Sequence, residues 1–245
     1  MKPAIKVLGV PDDINSSFMR GSSAAPPLIR EALYSASSNL FSESGLNLDQ
    51  KGIWEDLGDI EFAGQVAVEN FKKIKTFVKD VLVSDQKLVS LGGDHSVSWP
   101  ILDAHLDKWD ALDILHIDAH PDLYDSLLGN KLSHASPFAR IMETGRASRL
   151  VQVGIRTLNK HQREQAEKFG VEIYQMKDLT KLSSLSFSKP VYCSIDIDAL
   201  DPAYAPGVSH FEPGGLSTRQ LIDCLNGFKG RLIGADIVEY NPKRD

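Results

Sequence analysis

Seven short apolar runs constrain the fold of this chain more than any other feature. They are Ile5–Val10, Lys87–Leu91, Leu112–Ile117, Leu150–Ile155, Val171–Tyr174, Val191–Ile195 and Leu232–Val238. Most are continuous and not alternating, the pattern of parallel strands covered on both faces. Amphipathic stretches lie between them. Residues 64–83 place Ala67, Phe71, Ile74, Val78 and Val81 on one helical face. STRQ at 217–220 reads as a capping box of Ser217 and Gln220 ahead of Leu221, Ile222 and Leu225. Strand and helix alternating in this way predict an α/β fold, a three-layer α/β/α arrangement with a largely parallel sheet. No repeat, low-complexity tract or linker interrupts the pattern, so a single domain is expected over residues 1–245.

In such a sheet, ligands bind outside the carboxyl ends of the strands. Four of those ends carry polar residues of a consistent kind, imidazoles and carboxylates. KLVSL runs into GGDHS with His95, LDILHI into DAHPD with Asp118, His120 and Asp122, VYCSI into DIDALDP with Asp196 and Asp198, and LIGADIV into Glu239. If these segments stay extended, 118, 120 and 122 face one point, as do 196 and 198, with Ile197 turned back into the core. Unpaired buried carboxylates are costly, so the cluster needs a partner, and a metal fits. The ligands read here are His95, Asp118, His120, Asp122, Asp196 and Asp198. This thiolate-free, oxygen-rich set suits Mn²⁺ better than a structural zinc site. Six side chains exceed what one such ion needs, and bridging carboxylates let them hold two Mn²⁺ per chain, four aspartates balancing two divalent charges. Two ions can activate a shared water against an electrophilic carbon. Glu239 lacks the alternate-residue acid of the metal segments and is a good fork for a guanidinium, with a structural ion pair as the competing reading. His116, one layer deeper than Asp118, reads as packing or support for the cluster. Asp125 and Asp201 read as loop acids.

The remaining composition excludes other classes. A net charge of −6 without a basic block argues against nucleic-acid binding. No apolar run approaches the roughly 20 residues of a membrane span. The start, MKPAIKVLGVPDD, is interrupted by Lys6 and Asp12 and carries no signal-peptide pattern. Cys193 and Cys224 make neither a disulfide framework nor a metal pair, so reduced core thiols and a cytoplasmic location are expected.

At the motif residues the sequence resembles the ureohydrolase family of arginases, agmatinases, formimidoylglutamases and relatives. GGDHS at 92–96, DAHPD at 118–122, SIDIDALDP at 194–202 and VEYNP at 238–242 occur in the family's order. The resemblance implies the three-layer fold, a di-manganese centre on the six ligands above and Glu239 as the guanidinium-binding acid. It also implies that His134, in GNKLSHASPFAR, shuttles protons, and that the chain forms a homo-oligomer, a trimer or hexamer. Within the family, GNKLSHASPFARIME, VQVGIRT and APGVSHFEPGGLS are similar to the loops of plant-type arginases. A small guanidino substrate follows, arginine first, agmatine or another guanidino acid second, hydrolysed to urea and an amine. For arginine's α-carboxylate and α-ammonium, Asn130, Ser133 and Ser136 are the candidate donors. Many members carry T-G-T-P where this chain has Val208, Ser209, His210 and Phe211, so His210 is a further candidate pocket residue. The family also continues into another helix beyond the point where this chain stops, at Asp245. A single-zinc deacetylase on a related fold and a non-catalytic metal-bound subunit are the rival readings. Asp122 and the paired aspartates at 196 and 198 argue against the first, and the presence of His134 and Glu239 argues against the second.

Overall fold

The computed structural model describes residues 4–64, 66–83, 85–179 and 185–245. Eight strands, β1 (Ile5–Val10), β2 (Trp54–Asp59), β3 (Lys87–Gly92), β4 (Leu112–Ile117), β5 (Ala147–Ile155), β6 (Glu172–Gln175), β7 (Ser186–Asp196) and β8 (Lys229–Val238), form one sheet. The order is β2-β1-β3-β8-β7-β4-β5-β6, and every neighbouring pair is parallel. All seven sequence-read strands are present. β2 is the one missed among the described residues. It is an edge strand, WEDLGD, with Trp54 and Leu57 only half-buried and its other residues exposed, so it lacks the apolar run that marks the rest.

The helices are α1 (Ala25–Leu33), α2 (Ala67–Leu82), α3 (Ser98–Lys108), α4 (Pro137–Glu143), α5 (Lys160–Phe169) and α6 (Thr218–Gly227). α2 fills the span read as helical at 64–83, of which Gln65 lies outside the described residues. The capping box at Ser217 and Gln220 forms and starts α6. Crossover direction decides which face each helix covers. In the order above, α2, α3, α4 and α5 each lead the chain rightward along the sheet, whereas α1 and α6 lead it leftward. Right-handed crossovers then put the two sets on opposite faces.

Packing agrees with that rule. Phe71, Ile74, Ile101, Leu102, Phe138 and Ile141 of α2 to α4 bury against Leu8, Leu88 and Ile114. Leu221 and Cys224 of α6 bury against Leu115, Val151, Val153 and Cys193 on the other face. Neighbours Ile114 and Leu115 belong to different cores, as alternate strand residues must. Gly9 lets α1 approach β1: a Cβ there would strike the Asp59 side chain and crowd Pro26. Both cysteines are free and buried.

Candidate metal centre

The four strands whose ends carry titratable groups, β3, β8, β7 and β4, are consecutive in the middle of the sheet. The crossover from β3 to β4 passes over β8 and β7, so all four chain ends meet at one point above the sheet's carboxyl edge.

His95 arrives by a tight turn. Gly93 packs against the backbone of Asp12, leaving no room for a Cβ. Asp94 then caps the 3₁₀ turn His95–Val97, accepting from the Ser96 amide at 2.9 Å. The His95 ring is fully buried, with Nε2 3.0 Å from Ser194 Oγ, and Ser194 donates to Asp236 Oδ1 at 2.6 Å. Because the serine proton goes to Asp236, its oxygen accepts from His95 Nε2–H, which leaves Nδ1 with a bare lone pair. That Nδ1 lies 3.1 Å from Asp118 Oδ2, 3.1 Å from Asp122 Oδ2 and 3.2 Å from Asp196 Oδ2. It makes no hydrogen bond with any of them.

A second imidazole nitrogen repeats the arrangement. His120 Nδ1 is 2.9 Å from Asp198 Oδ2 and 3.4 Å from Asp118 Oδ1. Asp118 thus offers one oxygen to each histidine, the disposition of a bridging carboxylate. It is held in place by His116 Nε2 at 2.7 Å and the His120 amide at 2.6 Å. Asp118, His120 and Asp198 place ligand-type atoms close enough to share one ion, as do His95, His116 and Asp118. His116 is not positioned as a ligand, however. Gln152 Nε2 donates to its Nδ1 at 3.0 Å, so its proton sits on Nε2, and Nε2–H donates to Asp118. Its support of the cluster agrees with the sequence reading.

The extended-segment expectation needs correction. The chain bends after Asp118, and Asp122 adopts a left-handed backbone, φ 50°. His120 and Asp122 therefore diverge, His120 towards Asp198 and Asp122 towards His95, and do not face a single point. Likewise Asp196 caps the 3₁₀ turn Ile197–Ala199, sending Asp198 to His120 while Asp196 stays by His95. Ile197 is half-buried and belongs to neither core. The six residues gather about two imidazole nitrogens, His95 Nδ1 and His120 Nδ1.

Electrostatics favour a cation at both. Burial disfavours charge on His95 and His120, yet the surrounding carboxylates hold both well above the ordinary imidazole pKa. Burial and the neighbouring acids push Asp196 well up and Asp198 to about 6. The cluster thus holds protons where acids crowd, and a divalent ion can replace them. His95 Nδ1, buried among three carboxylates without a hydrogen bond, fits a metal ligand once a cation displaces its proton.

A cavity of about 200 Å³ opens on this cluster, lined by His120, Asp122, Asp196 and Asp198, with His134 and His210 beside them. His134 is 8% exposed, with Nδ1 3.1 Å from Glu239 Oε1 and Nε2 2.8 Å from Ser17 Oγ. Burial lowers its proton affinity, but the hydrogen bond and charge of Glu239 win and raise it to about 9. Glu239 sits behind His134 in a left-handed conformation, φ 65°, and also accepts from the His95 amide at 2.9 Å through the same Oε1. Burial opposes its charge, but His134 and that amide hold its pKa below the ordinary carboxylate value. His210 stacks on His134 at 5.5 Å between ring centres.

The three loop donors read from sequence do not line this cavity. Asn130 closes a bridge with Leu127 and donates to Asn15 Oδ1 at 3.2 Å. Ser133 is buried and accepts from the Ala135 amide, and Ser136 is buried at the start of α4, ahead of Pro137. Asn130 and Ser133 are thus spent on the loop's own backbone, whereas Ser136 Oγ is buried without a hydrogen-bond partner. The cavity is instead lined by Ser17, Tyr124, Thr157 and Gln162. Ser17 follows β1 and Thr157 follows β5, so the strand-end rule points to both.

The whole chain compares closely with known proteins. A description of the arginase family matches residues 3–245. The chain is similar to arginase 2, chloroplastic/mitochondrial, of Arabidopsis thaliana, 47% identical over 258 residues that cover 100% of this chain and 75% of that protein. It is less similar to an agmatinase of Bacillus cereus, 34% identical over 250 residues covering 98% and 84%. The fold superposes on an arginase from Medicago truncatula with a TM-score of 0.95 at 46% identity, covering 99% and 81% of the two chains. With the parallel sheet and the carboxylate–imidazole cluster at its carboxyl edge, these likenesses place the chain in the arginase family.

Proposed function

We propose that this chain hydrolyses L-arginine to L-ornithine and urea at a centre of two Mn²⁺ ions. The observation that carries the reaction class is the buried His95 Nδ1, with no hydrogen bond and three carboxylate oxygens within 3.1, 3.1 and 3.2 Å. The choice of arginine over agmatine is supported by 47% identity to a plant arginase against 34% to an agmatinase.

In this reading His95, Asp118, His120, Asp122, Asp196 and Asp198 would hold the ions. Divalent ions bound there would lower the pKa of water and so supply a nucleophile near neutral pH. The chain's own residues do the rest. Glu239 keeps its carboxylate charge and orients a planar guanidinium, which it can pair with bidentately once His134 yields. His134, protonated at neutral pH beside Glu239, gives a proton from Nδ1 to the departing amine. Ser17, at its other nitrogen, stands exposed, between the buried ring and solvent.

Urea release by Mn²⁺-loaded protein, with arginine and agmatine side by side, tests the proposal. Arginine should give the higher kcat/KM. Faster agmatine turnover would reassign the substrate, and no urea from either would overturn the reaction.

A further inference from the structure

The two imidazoles of the centre are held very differently. His95 is fully buried and anchored through Ser194 to Asp236 in the core. The His120 side chain is 22% exposed at the cavity edge, and no core group touches its Nε2. A neutral imidazole has two tautomers. Only one of them leaves Nδ1 available to a cation.

Glu212 addresses that problem. Its Oε1 lies 3.3 Å from His120 Nε2, on the far side of the ring from Asp118 and Asp198. The loop that carries it is stiff. Arg156, directly after β5, donates from Nε to the Glu212 carbonyl at 2.8 Å and from Nη2 to the Asp198 carbonyl at 2.7 Å. One guanidinium thus ties the backbone of Glu212 to that of a ligand. Asp201 closes the other end, accepting from the Gly214 and Gly215 amides at 2.7 and 3.2 Å. Gly215 has no room for a Cβ, which would meet the Asp201 amide and the Arg156 side chain.

We propose that Glu212, held by Arg156, is the positioning residue for His120: it accepts a hydrogen bond from Nε2–H and so fixes the tautomer and ring orientation that present Nδ1 to a cation shared with Asp118 and Asp198. This rests on the metal-centre reading above. The Nε2–H to carboxylate bond also raises the basicity of Nδ1, and such partners are typically worth roughly 10–100-fold in metal affinity.

Mn²⁺ titration of the metal-free full chain, by calorimetry or chelator competition, tests this on wild type, Glu212→Ala, Glu212→Gln and Arg156→Lys. Wild type should show two binding events. Glu212→Ala should weaken one of them roughly 10–100-fold and leave the other, which serves as an internal control. Glu212→Gln should weaken the same event less, because its amide oxygen still accepts from Nε2–H. Arg156→Lys, which loses the fork, should also weaken that event. Two unchanged events in Glu212→Ala would overturn the inference, as would a raised KM for arginine with unchanged metal affinity. Equal loss of both events with a lower melting temperature of the metal-free protein would mark general damage and overturn it too. Wild type that takes up no Mn²⁺ would instead sink the metal-centre reading itself.

Discussion

His95 and His105 are both fully buried, and each leaves one ring nitrogen without a hydrogen bond. They lie on the same side of the molecule, one at the carboxyl edge of the sheet and one on α3 facing its middle. The orphan atom of His95, Nδ1, faces three carboxylates. That of His105, Nε2, faces the backbone of β8 at Gly234, where a Cβ would collide with it, and the ring lies edge-on to Tyr192 at 4.8 Å. The outcomes are opposite. Carboxylates pull His95 well above the usual imidazole pKa against its burial, whereas burial drives His105 down to about 4. Burying an unpaired polar atom does not by itself make a site. What matters is whether that atom looks at anions or at packed backbone and rings.

The strongest way to break this contrast is to remove the acid that both metal subsites share. Asp118→Ala takes one oxygen from His95 and one from His120. It should lose both ions and lower kcat by roughly 10³-fold or more, since metal activation of water supplies several kcal/mol of the barrier reduction. Elemental analysis and urea assays read the two effects. Stripping the wild type with a chelator should also lower its Tm, because the remaining acids repel one another. Full metal content in Asp118→Ala would refute the bridging assignment.

The next two substitutions sharpen the contrast by separating chemistry from metal binding. His134→Asn should keep both ions and lose roughly 10²–10⁴-fold in kcat, the usual worth of general acid–base catalysis. Undiminished turnover across the neutral range would remove His134 from the mechanism. Glu239→Gln keeps the shape and loses the charge, at a cost on the order of 2–4 kcal/mol, or roughly 30- to 1000-fold in kcat/KM. Its metal content should match wild type. Normal kinetics with reduced stability would show that Glu239 serves only as a structural ion pair with His134.

What the sequence reveals follows the same physics. A strand buried on both faces must be apolar along its length, so seven strands stand out, while the edge strand β2 does not. The ligands stand out because charge at the end of such a run contradicts its surroundings. Glu212 carries no such contradiction, being a charged residue in a loop, and Arg156, although it ends the run Leu150–Ile155, shows its role only where it meets Glu212 across 56 residues. Asn130, Ser133 and Ser136 fail for the converse reason. Asn130 and Ser133 find partners in their own loop backbone or in Asn15, and Ser136 is buried at the start of α4, so none of the three lines the cavity.

The smallest expected effect concerns His105, the histidine that makes no site. Its folded pKa of about 4 lies below the ordinary 6.5, so between those values the unfolded chain binds a proton that the folded chain does not. Stability contributed by keeping this ring neutral is therefore intact above about pH 6.5. It falls by about 1.4 kcal/mol per pH unit on acidification, until the folded form also protonates near pH 4. Other groups titrate in the same window, the metal-centre acids among them, so the term is isolated as a difference. His105→Leu removes the titrating ring and its orphaned nitrogen, at the cost of the 3.0 Å bond to the Ile101 carbonyl. Denaturant unfolding of both proteins at pH 7.5 and 5.5 should show the variant losing about 1.4 kcal/mol less than wild type between the two. An equal loss would mean that the ring finds a proton acceptor in the core. The contrast with His95 would then be one of degree and not of kind.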